Sequence, residues 1–161
     1  VFNGEKKGVL MNSLSEVKDF VSQKTLAMVG LSRNEKAFSA SIFKELTAKG
    51  YKLLPINPNA AEIGGHVCYP SLAKLPEKVG GVLIVTPAAQ TARVVQEAAD
   101  RGMTRVWIQQ GAHSPEAEKL CQERGLSAVS GKCIMMFAEP VSSIHSVHRW
   151  FAKTFGQLPK D

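Results

Sequence analysis

Long apolar runs are missing from this 161-residue chain, where no uninterrupted hydrophobic stretch approaches the roughly 18 residues of a membrane span. A membrane-embedded protein is excluded and a soluble one expected. Cysteine is scarce: Cys68, Cys121 and Cys133 are odd in number, far apart and without a CxxC pair, so no disulfide framework is encoded and a reducing cytoplasm is the expected setting. Dense basic runs are absent too. The net charge of +6 favours acidic partners, but the Lys and Arg residues are scattered and no aromatics interleave with them, so the expected partners include neither nucleic acid nor membrane. No HExxH or paired cysteine accompanies His66, His113, His145 and His148, so no metal site is expected. No Ser-His-Asp order or nucleophile elbow names a reaction.

The first ten residues lack the apolar core of a secretory signal, and Met11 can serve as a natural start. Residues 1–11 are therefore read as a vector-derived or disordered leader, and 12–161 as a single domain with its own core. From Thr25 onward, short apolar runs alternate with segments of helical period, the pattern of successive βαβ units. Strands are expected at 26–29, 52–56, 82–85, 105–108 and 126–129. Helices are expected at 39–49, 91–101 and from Ser114 to Gly125, with a last one over 141–155 striped by Ile144, Val147, Phe151 and Phe155. Segment 57–80, rich in Pro, Gly and Asn, reads as loop with one helical turn near 71–75. The expected fold is α/β: a Rossmann-like, doubly wound, five-stranded parallel sheet in three layers, strand order 3-2-1-4-5, with its ligand crevice where the order reverses. The stripe on the last helix is broad enough to pair with a second copy or a partner protein.

The first strand runs into Val29-Gly30-Leu31-Ser32-Arg33-Asn34, with a helix soon after, so backbone amides and a positive helix end can face a phosphate. Gly30 permits close approach, the Ser32 hydroxyl can donate, and Arg33 or Lys36 can meet the charge. The loop has only the first glycine of GxGxxG. The second strand ends in Ile56-Asn57-Pro58, where a dinucleotide site places an acid for the ribose, so both features argue against NAD.

An ordered series of motifs then resembles a known family. Val29-Gly30-Leu31-Ser32 is followed by Gly50-Tyr51 with Pro55-Ile56-Asn57-Pro58, then Tyr69-Pro70-Ser71-Leu72 with Leu75-Pro76, Val85-Thr86-Pro87, Trp107-Ile108-Gln109-Gln110-Gly111 and Gly131-Lys132-Cys133. From about Val17 to Cys133 the chain resembles the stand-alone coenzyme-A-binding proteins, which are similar to the N-terminal domain of the succinyl-CoA synthetase alpha subunit. The resemblance implies coenzyme A as ligand, with its phosphates on Gly30, Ser32 and Arg33, and Lys36 as a helper. It places the adenosine against Ile56, Asn57 and Pro58, and Thr86-Pro87 across the crevice, closing on the nucleotide. Two positions depart from the relatives: Gly131-Lys132-Cys133 replaces a frequent Asp-Arg-Cys, and Gly80-Gly81 stands where an Asp is common.

Synthetases of this kind carry a further domain with a phosphorylated histidine and a nucleotide-grasping partner subunit, neither of which these residues encode. The expectation is a module that binds CoA or acyl-CoA as carrier, sensor or accessory, without independent ligase activity. Two alternatives remain open: a small NAD- or acyl-CoA-dependent oxidoreductase or transferase, and a regulatory interaction protein whose nucleotide crevice is a relic. Cys133, at a strand end, and Trp107, within an apolar strand, are each expected to be core residues rather than reactive or ligand-lining groups.

Overall fold

The computed structural model describes residues 12–140. The leader at 1–11 and the last expected helix, with His145, His148 and the proposed pairing stripe, lie outside the described residues. In chain order the elements are α1 (Leu14–Ser22), β1 (Thr25–Val29), α2 (Phe38–Ala48), β2 (Lys52–Ile56), β3 (Glu62–Ile63), β4 (His66–Val67), β5 (Gly81–Ile84), α3 (Ala88–Asp100), β6 (Arg105–Gln109), α4 (Pro115–Arg124) and β7 (Ser127–Lys132). Single 3-10 turns occur at Leu72–Lys74 and Ile134–Met136.

The five long strands form one parallel sheet between two helical layers, as the βαβ pattern predicts. Their side chains alternate between two cores. Leu26, Met28, Leu83, Trp107 and Val129 pack under α1 and α2, whereas Ala27, Val82, Ile84, Val106, Ile108 and Ala128 pack under α3 and α4. Trp107 is fully buried as expected, its ring centroid 5.4 Å from that of Phe20 and 5.8 Å from that of Phe137. Its indole N–H donates to the Lys132 carbonyl at 3.0 Å, so the largest core side chain leaves no polar atom unpaired.

The strand order corrects the expectation. It is β2-β1-β5-β6-β7, or 2-1-3-4-5 among the long strands, rather than 3-2-1-4-5. The third strand lies beside the first, and β2 forms the edge. Pro55 supplies the reason. Its carbonyl accepts from Tyr69 N–H on the outer side of β2 at 2.8 Å, and a strand residue presents its N–H and C=O to the same side. The missing N–H of Pro55 thus faces the edge, where another full-length strand would have needed it. β5 is wholly buried and suits the interior. A Cβ on Gly81 would lie 2.6 Å from Phe20 Cε2, so glycine lets this strand pass beneath α1.

Two further differences concern elements not anticipated. α1 opens on a capping box in which Ser13 Oγ accepts from Glu16 N–H while the Glu16 carboxylate accepts from Ser13 N–H, and it buries Val17, Phe20 and Val21. Within the expected loop 57–80, β3 and β4 pair antiparallel across Gly64-Gly65, and the expected helical turn is present at Leu72–Lys74.

Candidate functional site

β1 feeds α2 on one face of the sheet and adjacent β5 feeds α3 on the other, so the two connections diverge and leave a crevice between them. Gly30 sits at its base with φ +107°. A Cβ there would stand 2.7 Å from the Val85 carbonyl carbon and 2.8 Å from Thr86 N, so only glycine lets the two turns touch. Beyond Gly30 the loop is held by short-range bonds. Ser32 N–H donates to Ser39 Oγ at 3.0 Å, Asn34 N–H to Ser32 Oγ at 3.1 Å, and Lys36 N–H to Asn34 Oδ1 at 3.0 Å. These turns fix the glycine loop to the first turn of α2.

The crevice is a cleft of about 350 Å³, walled by Gly30 and Ser32, by residues 37–39 at the start of α2, by Val85, Thr86 and Pro87, and by residues 109–112 at the end of β6 and just beyond it. None of these side chains is charged. Its positive character comes from the backbone: α2 and α3 both begin without a side-chain cap and without an acid in the first turn. The first turn of α2 and Pro87, the residue before α3, thus bring two uncompensated helix starts to the cleft wall. A second hollow of about 170 Å³ shares Ser32 with the cleft and is walled by Arg33, Glu35, Phe43, Lys44 and His66 between α2 and the β3–β4 hairpin. The Arg33 guanidinium donates to the Asn59 carbonyl, which joins the glycine loop to the turn after β2. Arg33 and Lys44 give this hollow the cationic side chains that the cleft lacks.

Of the residues nominated from sequence, Gly30, Ser32, Thr86 and Pro87 meet around the cleft, and Arg33 lines the neighbouring hollow. Thr91 donates its hydroxyl to the Ala112 carbonyl at 2.7 Å, so the Thr86 hydroxyl, 3.2 Å away, donates to Thr91 Oγ1. Thr86 thereby braces the cleft wall. Lys36 is exposed, and it lines neither space. Asn57 folds its Oδ1 onto Asn59 N–H at 2.8 Å, Pro58 is exposed, and Ile56 is a buried strand residue, and none of the three lines either hollow.

Ser39 and Gln109 were not nominated, yet both belong to the site. Gln109 ends an otherwise apolar strand and is 1% exposed. Its Oε1 accepts from Ile134 N–H at 3.0 Å, while its Nε2 has no hydrogen-bond partner among the described residues. An unpaired buried amide donor costs about 1–3 kcal/mol. A β-bulge falls here, since Ile108 pairs with Ser130 but Gln109 with Lys132, leaving Gly131 as the extra residue at φ +75°.

One cluster looks catalytic in composition but not in geometry. His113 Nδ1 lies 2.7 Å from Glu118 Oε1 and 3.3 Å from Ser130 Oγ. A relay needs acid and nucleophile on opposite ring nitrogens, and here both meet the same one. Cys68, Cys121 and Cys133 are all buried and free. Burial first, and Glu118 second, pushes the Cys121 thiol up to about 12 from its ordinary 9.0, and burial also raises Cys68. Among the described residues no cluster of three or more metal-ligating side chains forms, and no helix is long and apolar enough to cross a membrane.

A parallel sheet with a glycine turn at its switch point and bare helix starts on either side defines a Rossmann-like nucleotide-binding architecture. Within that class the chain belongs to the CoA binding domain family, whose pattern matches residues 24–139. It is similar to acetate-CoA ligase (ADP-forming) II of Archaeoglobus fulgidus, 28% identical over 151 residues, a match that spans 91% of this chain but 22% of the ligase. The uncharacterized protein YneT of Bacillus subtilis is 28% identical over 123 residues, covering 76% of this chain and 91% of YneT. Among solved structures, a conserved hypothetical protein from Pyrococcus furiosus superposes with a TM-score of 0.66 at 37% identity, covering 70% of this chain and 97% of that one. A hypothetical protein from Pyrococcus horikoshii superposes with a TM-score of 0.71 at 27% identity, covering 88% and 92% of the two chains.

Proposed function

We propose that this chain binds coenzyme A or its acyl thioesters as a carrier, sensor or accessory module, without ligase chemistry of its own. The observation that carries the proposal is the cleft at Gly30, onto which two uncapped, acid-free helix starts open. Such an arrangement favours a phosphorylated ligand over a neutral one. Family membership favours coenzyme A among phosphorylated ligands.

In this reading the pyrophosphate rests on the loop from Gly30 to Arg33 and on the first turn of α3. The adenosine lies toward Ile56, Asn57 and Pro58, with Arg33 and Lys36 near its phosphates. Thr86 and Pro87 close the opposite wall.

Titration calorimetry with CoA, acetyl-CoA, NAD and ADP tests this. CoA and acetyl-CoA bind more tightly than NAD or ADP if the proposal holds, and the absence of any CoA heat at millimolar ligand refutes it. Arg33→Ala lowers CoA affinity about tenfold, the loss of one charge-assisted contact. Because Arg33 is exposed, the same change shifts stability by under about 0.5 kcal/mol.

A further inference from the structure

Gln109 is the buried polar group that the fold leaves half used. Its carboxamide oxygen is committed to Ile134 N–H, which fixes which corner of the amide is oxygen and which nitrogen. The nitrogen, with two protons to donate, meets no acceptor among the described residues, although the side chain is almost completely shielded from solvent and the residue lines the cleft. Buried donors in folded proteins are nearly always paired, so an unpaired one beside a cleft marks the place where an acceptor arrives.

The chemistry of the surroundings says which kind of acceptor. The cleft carries no charged side chain, while Arg33 and Lys44 line the separate hollow on the other side of Ser32. In the coenzyme A reading above, the ionised phosphates fall to those cations and to the helix starts at the cleft mouth, which leaves the inner, uncharged wall at Gln109 to a neutral part of the ligand. A neutral carboxamide in an uncharged wall pairs best with another neutral carbonyl, since no desolvated charge is then left without a counter-charge. Coenzyme A has such groups only on its pantetheine arm, in two amides and, when acylated, a thioester.

We propose that Gln109 Nε2 donates a hydrogen bond to a carbonyl of the pantetheine arm or its thioester, and so distinguishes coenzyme A from nucleotides that lack the arm. This rests on the coenzyme A reading above and adds the residue that recognises the non-nucleotide half. The Ile134 contact makes Gln109 rigid before the ligand arrives, so little side-chain entropy is lost on binding.

The test compares CoA with adenosine 3′,5′-bisphosphate, which keeps the phosphorylated nucleoside but has no arm. Gln109→Leu lowers affinity for CoA about tenfold and leaves that for the bisphosphate within about twofold, the signature of one lost neutral hydrogen bond. Gln109→Glu, which retains an oxygen for Ile134 N–H but presents a second acceptor where the donor stood, loses CoA affinity at least as strongly. Equal losses for both ligands, or none for CoA, overturn the proposal. In the wild-type protein, the side-chain amide resonances of Gln109 shift on adding CoA and not on adding the bisphosphate. No shift with CoA overturns it without recourse to a variant, because the donor is then served by water. Wild-type binding of the bisphosphate with no added affinity for CoA refutes the role of Gln109 alone, whereas binding of neither ligand refutes the coenzyme A reading itself.

Discussion

Three helices start at the carboxyl edge of the sheet, each after a parallel strand, and they start in two ways. α4, after β6, is closed by its own sequence: Ser114 Oγ accepts from Ala117 N–H at 3.3 Å, Pro115 occupies the first turn, and Glu116 and Glu118 offset the positive helix end. α2 and α3, after β1 and β5, have none of these devices. Capping residues are easily placed and contribute about 1 kcal/mol each, so their absence at both helices beside the crevice, and their presence at the third, sets the two open starts apart in the way the proposed binding role requires. The anion proposed for the cleft would complete the two open helices as Ser114 and its acids complete α4.

Gly30→Val strikes the contact on which the open pair depends. It forces a branched side chain into φ +107° and against the β5 turn, and it should cost about 3 kcal/mol in urea unfolding and abolish CoA binding. Gln90→Glu makes α3 resemble α4 by placing an acid in its exposed first turn. It should raise stability by about 0.3–1 kcal/mol while weakening CoA about tenfold, opposite signs that a merely structural helix start would not give. Ser114→Ala makes α4 resemble α3. Thermal or urea unfolding should report a loss of about 1 kcal/mol, with CoA affinity unchanged.

A further effect, confined to alkaline pH and absent near neutrality, concerns the buried side of α4. The folded protein holds the Cys121 proton to about 12, while the unfolded chain releases it above 9.0. The stability this group confers is complete below pH 9 and is lost as pH rises toward 12. Urea midpoints should therefore fall over that window, and Cys121→Ala should flatten the slope without affecting the cleft.

Much of this architecture is readable from residue pattern because the pattern is local. Val82-Leu83-Ile84 and Arg105 to Ile108 are short apolar runs bounded by turns, and Ser114-Pro115-Glu116 carries its cap within three residues. Strand order is not local, yet Pro55 held the clue: a proline in the second strand excludes a full neighbour on one side, which the 3-2-1-4-5 arrangement required. α1 was equally legible in the Ser13 to Glu16 spacing ahead of Val17, Phe20 and Val21. The two-residue strands at 62–63 and 66–67 are too short to show any alternation. At the site, the glycine loop and Thr86-Pro87 stand out by residue type and position after a strand. Gln109 is hidden because a glutamine closing an apolar strand reads as the first residue of the next loop, and only burial on all sides shows that it is not.

Backbone amide shifts on titration with CoA decide whether the two open helix starts are where the ligand binds. Gly30, Ser32 and Phe38 around α2 and Ala88 and Ala89 at the start of α3 should move together, while Glu116 and Ala117 at the closed start of α4 stay in place. Shifts centred on α4, or none at α2 and α3, would contradict the proposed site.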